Sequence, residues 1–350
     1  MSLLPSRASL LKGADVTLGS FLCRVLGRLH FLAHRETVPG DIPLDRIRRV
    51  LMVRPGGMGD MILLLPVIRR LRQRFPDAVI DVVCEKRNVD VLSLAGLGRN
   101  AIPYDSQVFR FLYRLRRGTY DVVVDTEQFH HFSAIFALLS GAPARIGFKI
   151  NPIRNPLYSH LVNYELDGPE ARQFLRLLEP LGVDQAPLKL DGDLQPLDAP
   201  LPPEVEDDLR PIAAERGFAL LAPGSSTVYK LWAPDRSVEQ ARRLRAEHGL
   251  AAALIGSKRE TGLTAAILGG IRKAGGPAVS LAGPLTLAQT ASVMKRSRLF
   301  VGSDSGLAHL AVALGVPSVV LFGPSDHRKW GFQDARHTVV RKELPCAPCF

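Results

Sequence analysis

RVLMVRPGGMGDMILLLPVIRRLRQRFP, residues 49–76, decides the fold class. RVLMV (49–53) is a short apolar run that suits a strand. Arg54-Pro-Gly-Gly-Met-Gly-Asp60 is a glycine-rich turn, and the stretch after it reads as a helix running to Phe75 and closed by Pro76. A short run that is apolar throughout belongs to a strand covered on both faces, as in a parallel sheet flanked by helices. The loop leaving such a strand lies at the carboxyl end of the sheet, where open α/β folds bind their ligands.

Outward from this stretch the alternation continues. AVIDVV (78–83) and YDVVVD (120–125) read as strands, then a helix around Phe132–Leu139, then the strand ARIGF (144–148). Residues 183–205 are rich in Pro and Asp without a long periodic segment, the mark of a linker. The alternation restarts with FALLA (218–222), a helix from Pro234 to His248, AAALI (251–255) and a helix near Glu260–Ala274. AVSL (278–281), a helix over Thr286–Lys295, LFVG (299–302), a helix to Leu314 and VPSVVLFG (316–323) complete it. The expected class is α/β with two doubly wound, Rossmann-like lobes, the second holding five strands. The expected organisation is an extension over 1–40, a first lobe over 41–190, a linker over 191–210 and a second lobe over 211–350.

In the extension, Leu18, Phe21, Leu22, Val25, Leu29 and Leu32 recur at helical spacing, with Arg24, Arg28 and Arg35 on flanking or opposite positions. Two readings stand: a basic amphipathic helix on an anionic inner membrane, and a terminal helix that packs on its own domain with its arginines in water. The second is the expectation carried forward.

The 350 residues are 46% hydrophobic and 23% charged, which fits a soluble globular protein rather than a disordered or fibrous one. The net charge of +11 favours polyanionic or phosphorylated partners. The basic residues are scattered and no aromatic stacking platform accompanies them, so nucleic acid is not expected. No apolar run approaches the roughly 20 residues of a membrane span. Arg24 and Arg28 interrupt the one apolar stretch near the N-terminus, so a signal peptide is not expected and the chain is placed in the cytoplasm. Of four cysteines, only Cys346 and Cys349 form a C-x-x-C pair, half of what a structural zinc site requires, and no metal site is expected.

Three strand-exit loops carry candidate chemistry. In the 54–60 loop, Gly56, Gly57 and Gly59, with Met58 among them, permit close backbone approach, and the N-terminus of the helix that follows attracts anions. Asp60 reads either as an N-cap or as a carboxylate acting as general base. In Pro223-Gly-Ser-Ser-Thr-Val-Tyr-Lys-Leu-Trp232, the hydroxyls of Ser225, Ser226 and Thr227 and the charge of Lys230 suit a phosphate; an ordinary polar turn with a surface lysine is the alternative. In Gly302-Ser-Asp-Ser-Gly-Leu-Ala-His309, Asp304 or Ser305 could cap the next helix and His309 could be a buried structural histidine. Ser305 and His309 nonetheless stand one turn apart at the helix start, with Gly306 between them, where a diphosphate would meet amides, hydroxyl and imidazole together. Glu260, beyond the 251–255 strand, is either a ribose contact or a solvated helix-start residue.

These segments, in this order, resemble the ADP-heptose:lipopolysaccharide heptosyltransferases, glycosyltransferase family 9. The resemblance rests on residues 54–76, on YDVVVD with GAPARIGF (141–148), on PGSSTVYKLW (223–232), and above all on D-S-G-x-x-H-x-A-x-A-x-G-x-P followed by LFGPS within 281–326. It implies a GT-B fold, two Rossmann-like lobes facing a central cleft, and an inverting, metal-independent transfer from a nucleotide-activated heptose. By the same resemblance Asp60 is the general base. Lys230, with Ser226 and Thr227, contacts the diphosphate, as do Asp304, Ser305, Gly306 and His309, and Glu260 matches an acidic donor contact. Arg54 and the basic surface suit an anionic lipopolysaccharide core. Two other readings stay open: a glycosyltransferase of the same fold with another nucleotide sugar or another glycan acceptor, and a non-catalytic nucleotide- or polyanion-binding module.

Overall fold

The structure, a computed structural model, describes residues 13–33, 41–191, 194, 199–214, 216–225, 227–283 and 285–349, with side chains left out over 30–33. Leu32 and Arg35 of the terminal helix pattern, and Ser226 of the hydroxyl loop, therefore lie outside the described side chains.

The chain divides into two compact units, Met1–Ser93 with Leu97–Leu188, and Lys189–Phe350 with Leu94–Gly96. In the first, a π-helical turn Asp15–Gly19 leads into α1 (Ser20–Ala33). Next come β1 (Arg49–Arg54), α2 (Met58–Arg74), β2 (Val79–Cys84), α3 (Val89–Leu94), β3 (Ala101–Pro103) and α4 (Val108–Arg117). β4 (Val122–Asp125), α5 (His131–Leu139), β5 (Ala144–Lys149), β6 (His160–Asn163) and α6 (Glu170–Arg176) complete it. All strands pair in parallel, in the order β3-β2-β1-β4-β5-β6.

The second unit contains α7 (Pro203–Ala213), β7 (Phe218–Ala222), α8 (Pro234–His248), β8 (Ala251–Leu254), α9 (Thr261–Lys273) and β9 (Ala278–Ser280). Beyond these lie α10 (Leu287–Arg296), β10 (Leu299–Ser303), α11 (Gly306–Ala313), β11 (Ser318–Phe322), α12 (His327–Trp330) and β12 (His337–Arg341). Its parallel sheet runs β12-β11-β10-β7-β8-β9. Counted from its own first strand, this is the order of the first unit, the doubly wound order of dinucleotide-binding folds.

The continuous apolar runs explain the parallel sheets. From Val50 to Val53 β1 is fully buried, as is every residue of β4 and β7. Helix α2 buries Met61–Ile68 without interruption. Each such aliphatic side chain contributes about 1.5–3 kcal/mol when removed from water, which holds the glycine-rich loop between two rigid elements. Each unit has its own core: Leu51, Val123 and Ile135 belong to the first, and Leu221, Leu254 and Ile267 to the second.

Three expectations are corrected. The second unit holds six strands rather than five, because β12 is a half-exposed edge strand with no continuous apolar run. Helix α7 begins at Pro203, inside the stretch read as linker; its Pro and acidic residues form a helix first turn, where both are favoured. The terminal helix does pack on its domain, through Asp15, Gly19, Cys23 and Gly27 with Leu22 and Leu26 partly buried beside them. Leu18, Phe21, Val25 and Leu29, the residues that suggested its buried face, point to solvent.

Candidate functional site

In a doubly wound sheet the loops diverge where the strand order reverses, between β1 and β4 in the first unit and between β7 and β10 in the second. The candidate residues gather at these two places.

In the first unit Gly57 is the N-cap of α2, Met58 and Gly59 are its first two residues, and Asp60 is the third. Asp60 is thus not the N-cap. From the N3 position its carboxylate reaches back to the helix start, one oxygen accepting from the Gly57 amide at 2.9 Å. The other oxygen lies 2.8 Å from Nη2 of Arg54. The guanidinium also reaches Glu127 at 3.3 Å and donates to the Thr126 carbonyl at 2.9 Å. Only 5% of Arg54 is exposed, and its ring neighbour is Phe174, 4.7 Å away. Burial works against its charge, but Asp60 and Glu127 outweigh this and raise its pKa further. Gly56 is required by close approach: a Cβ there would lie 3.0 Å from Arg54 Nε and 3.1 Å from Asp60 Oδ2. Asn88, fully buried, fixes the same turn by donating to the Gly56 carbonyl at 2.7 Å.

The 126–128 segment was not singled out by the sequence, yet it supplies half of this arrangement. Burial raises the pKa of the Glu127 carboxyl, opposed by the neighbouring Arg54 charge. Gln128 is buried and donates to Glu170, which also accepts from the Tyr164 hydroxyl at 2.8 Å. The available signal was positional: Thr-Glu-Gln comes directly after YDVVVD at the strand beside β1.

In the second unit, the 223–233 loop leaves β7 and folds into a 3-10 turn, Val228–Lys230. Lys230 Nζ lies 2.6 Å from Oδ2 of Asp304, which leaves β10 and is 8% exposed. Ser303 donates to the Gly224 carbonyl at 3.0 Å, tying the two strand exits together. The Ser225 hydroxyl accepts from the Thr227 amide at 3.4 Å, and Thr227 is exposed. Ser305 is the N-cap of α11 without a side-chain cap bond, and Gly306 is its first residue. His309 sits in the first turn, buried, edge-on to Phe332 with ring centroids 5.5 Å apart.

Glu260 belongs to the same cluster. One carboxylate oxygen accepts from the Ser257 amide at 2.6 Å in a capping box, and the other lies against Gly224, where a Cβ would approach it to 1.7 Å. Ser325, beyond β11, was missed by the sequence reading; it is buried and its hydroxyl has no hydrogen-bond partner among the described residues. Also among the described residues, no group of three or more His, Cys, Asp or Glu side chains is placed to hold a metal ion.

Two Rossmann-ordered units, each with its candidate loops at the switch point, define an α/β protein of the GT-B type. The chain belongs to glycosyltransferase family 9 (heptosyltransferase), whose family model matches residues 108–350, and it is therefore a glycosyltransferase. It is 28% identical over 325 residues to lipopolysaccharide heptosyltransferase 1 of Pseudomonas aeruginosa, covering 86% of each chain. It is 26% identical over 287 residues to lipopolysaccharide heptosyltransferase 3 of Escherichia coli, covering 78% of this chain and 82% of that one. In fold it is similar to Escherichia coli heptosyltransferase WaaC with ADP, at a TM-score of 0.66 and 20% identity, over 84% of this chain and 91% of that one. A family 9 glycosyltransferase from Veillonella parvula gives a TM-score of 0.69 at 19% identity, over 85% and 88%.

Proposed function

We propose that this enzyme transfers heptose from ADP-heptose to an anionic lipopolysaccharide-core acceptor, at the cytoplasmic side of the inner membrane, by a single inverting displacement that uses no metal. The observation that carries the reading is the second unit's switch point, where Lys230 and Asp304 pair between a hydroxyl loop and the N-terminus of α11. Family membership supplies the sugar-transfer chemistry, and the names of the relatives supply heptose and lipopolysaccharide.

The donor diphosphate takes its contacts from Lys230, the Ser225–Thr227 loop and the start of α11 with Ser305, Gly306 and His309; Ser226 shares this role by its place in the loop. Asp304 orients the lysine. Charge builds on the departing diphosphate in an oxocarbenium-like transition state, and this fixed positive field stabilises it. Glu260 faces the same loop and takes the ribose. Asp60 accepts the proton of the attacking hydroxyl, with Gly57, Met58 and Gly59 framing the acceptor. Because the Arg54 guanidinium is buried and engaged by Asp60 and Glu127, its part is to hold Asp60 in place, while exposed basic residues meet the acceptor's anionic groups.

A thermal-shift panel of nucleotides and nucleotide sugars tests the reading. ADP and ADP-heptose should raise the melting temperature, with UDP and GDP sugars leaving it unchanged. Selective stabilisation by a UDP sugar would move the enzyme to another donor. Binding of ADP-heptose without transfer to a heptose-deficient lipopolysaccharide core would leave only the nucleotide-binding reading.

A further inference from the structure

Helix α1 is seated by Asp15, Cys23 and Gly27, with Leu22 and Leu26 packed against the core beside them. Asp15 of the preceding turn accepts from the His131 amide at 3.0 Å and the Phe132 amide at 2.8 Å. Cys23 is fully buried in the core of the first unit, and a Cβ at Gly27 would stand 3.2 Å from Pro156. On the face opposite Cys23 and Gly27 stand Phe21, Val25 and Leu29 at four-residue spacing; Phe21 is 60% exposed and Leu29 58%. Arg24 and Arg28 are exposed beside them.

Helix α4 repeats the pattern. It buries Phe111 and Leu115, and turns Phe109, 90% exposed, and Tyr113, 59% exposed, to solvent. Arg110, Arg116 and Arg117 are exposed with them. Arg117 lies 5.3 Å from the Tyr113 ring centroid and donates to its hydroxyl at 2.6 Å. Both helices pack on α5, so they form one helical layer. Neither Ser20–Ala33 nor Val108–Arg117 contains an acidic residue.

We infer that this layer is a docking surface for an anionic phospholipid bilayer. Large apolar side chains flanked by arginines, with no acid among them, match an interfacial helix face: the rings and aliphatic chains enter the acyl boundary and the guanidinium groups reach lipid phosphates. The charge pattern selects the occupant. The same face on a second copy would set arginine against arginine with no carboxylate between them, whereas an anionic headgroup layer complements every charge. The inference does not depend on the donor or acceptor assigned above.

The test is co-sedimentation of the full chain with vesicles of phosphatidylethanolamine and phosphatidylglycerol, against vesicles of phosphatidylcholine alone. The wild-type chain should pellet with the anionic vesicles only, and its binding should fall steeply with added salt. Phe21→Ser with Leu29→Ser, and Phe109→Ser with Tyr113→Ser, should each lower partitioning by about tenfold or more. Arg24→Glu with Arg28→Glu should abolish the preference for anionic lipid. All six positions are exposed, and circular-dichroism melts confirm that each variant is folded; the salt dependence of the wild type needs no variant. Wild-type protein left in the supernatant, apolar variants that pellet like wild type, or a concentration-dependent dimer abolished by the same substitutions would each overturn the inference.

Discussion

Asp60 is engaged at both oxygens, by the Gly57 amide and by Arg54. These two contacts fix the direction of the carboxylate, which the proposed mechanism uses to accept the proton of the attacking hydroxyl. Asp60→Asn keeps an oxygen for the cap and removes the charge. Turnover should fall by about 10²–10⁴, the usual worth of general base catalysis, while the stabilisation by ADP stays as in wild type. Near-normal kcat would remove Asp60 from the mechanism. The residue's sequence neighbourhood announced a helix start. It did not announce Arg54 as its partner, because that contact depends on Gly56 leaving room for the guanidinium.

At the scale of elements, α5 begins with His130 as N-cap and no side-chain cap of its own. Asp15, distant in sequence, accepts from the amides of its first two residues. Asp15→Ala should therefore cost about 1–2 kcal/mol, the loss of a cap, read by urea denaturation. The pair Asp15–His130 also makes this attachment pH-dependent. Burial raises the Asp15 carboxyl, but the His130 imidazole 3.6 Å away and hydrogen bonds from the Phe132 and His131 amides outweigh it and leave its pKa below 3.8. The Asp15 carboxylate, 3.6 Å from its Nδ1, raises His130 above its ordinary 6.5, against burial. The Asp15 contribution is present above pH 3.8 and is lost as pH falls through the lowered value. The His130 contribution is present below pH 6.5 and is lost as pH rises through the raised value. Stability measured from about pH 6 to 9 should thus decline more in wild type than in His130→Gln; equal slopes would exclude the pair as the source.

At the scale of the whole molecule, two units share one strand order, and the proposed function gives them different parts. Nucleotide binding assigned to the second unit predicts a pattern in hydrogen exchange: ADP should protect amides of 223–233 and 303–309. Lys230→Ala should weaken that protection, slowing transfer and raising the donor KM together. Protection confined to the 54–60 loop would reverse the assignment.

The two-lobed α/β class was legible because buried parallel strands must be continuous apolar runs, and here they are. The family was legible because the 302–309 and 316–326 segments join glycines, a histidine and hydroxyls at one strand-end spacing. Local pattern could not supply what comes from distant strands meeting at a switch point: the Arg54–Glu127 contact, the Lys230–Asp304 pair and the approach of Glu260 to Gly224. Nor could it decide which face of α1 is buried. Periodicity marks an apolar stripe, but a helix turns to its neighbour whichever side fits closest. Asp15, Gly19, Cys23 and Gly27 allow that approach, so the tertiary structure drew Leu22 and Leu26 against the core and left Leu18, Phe21, Val25 and Leu29 outside.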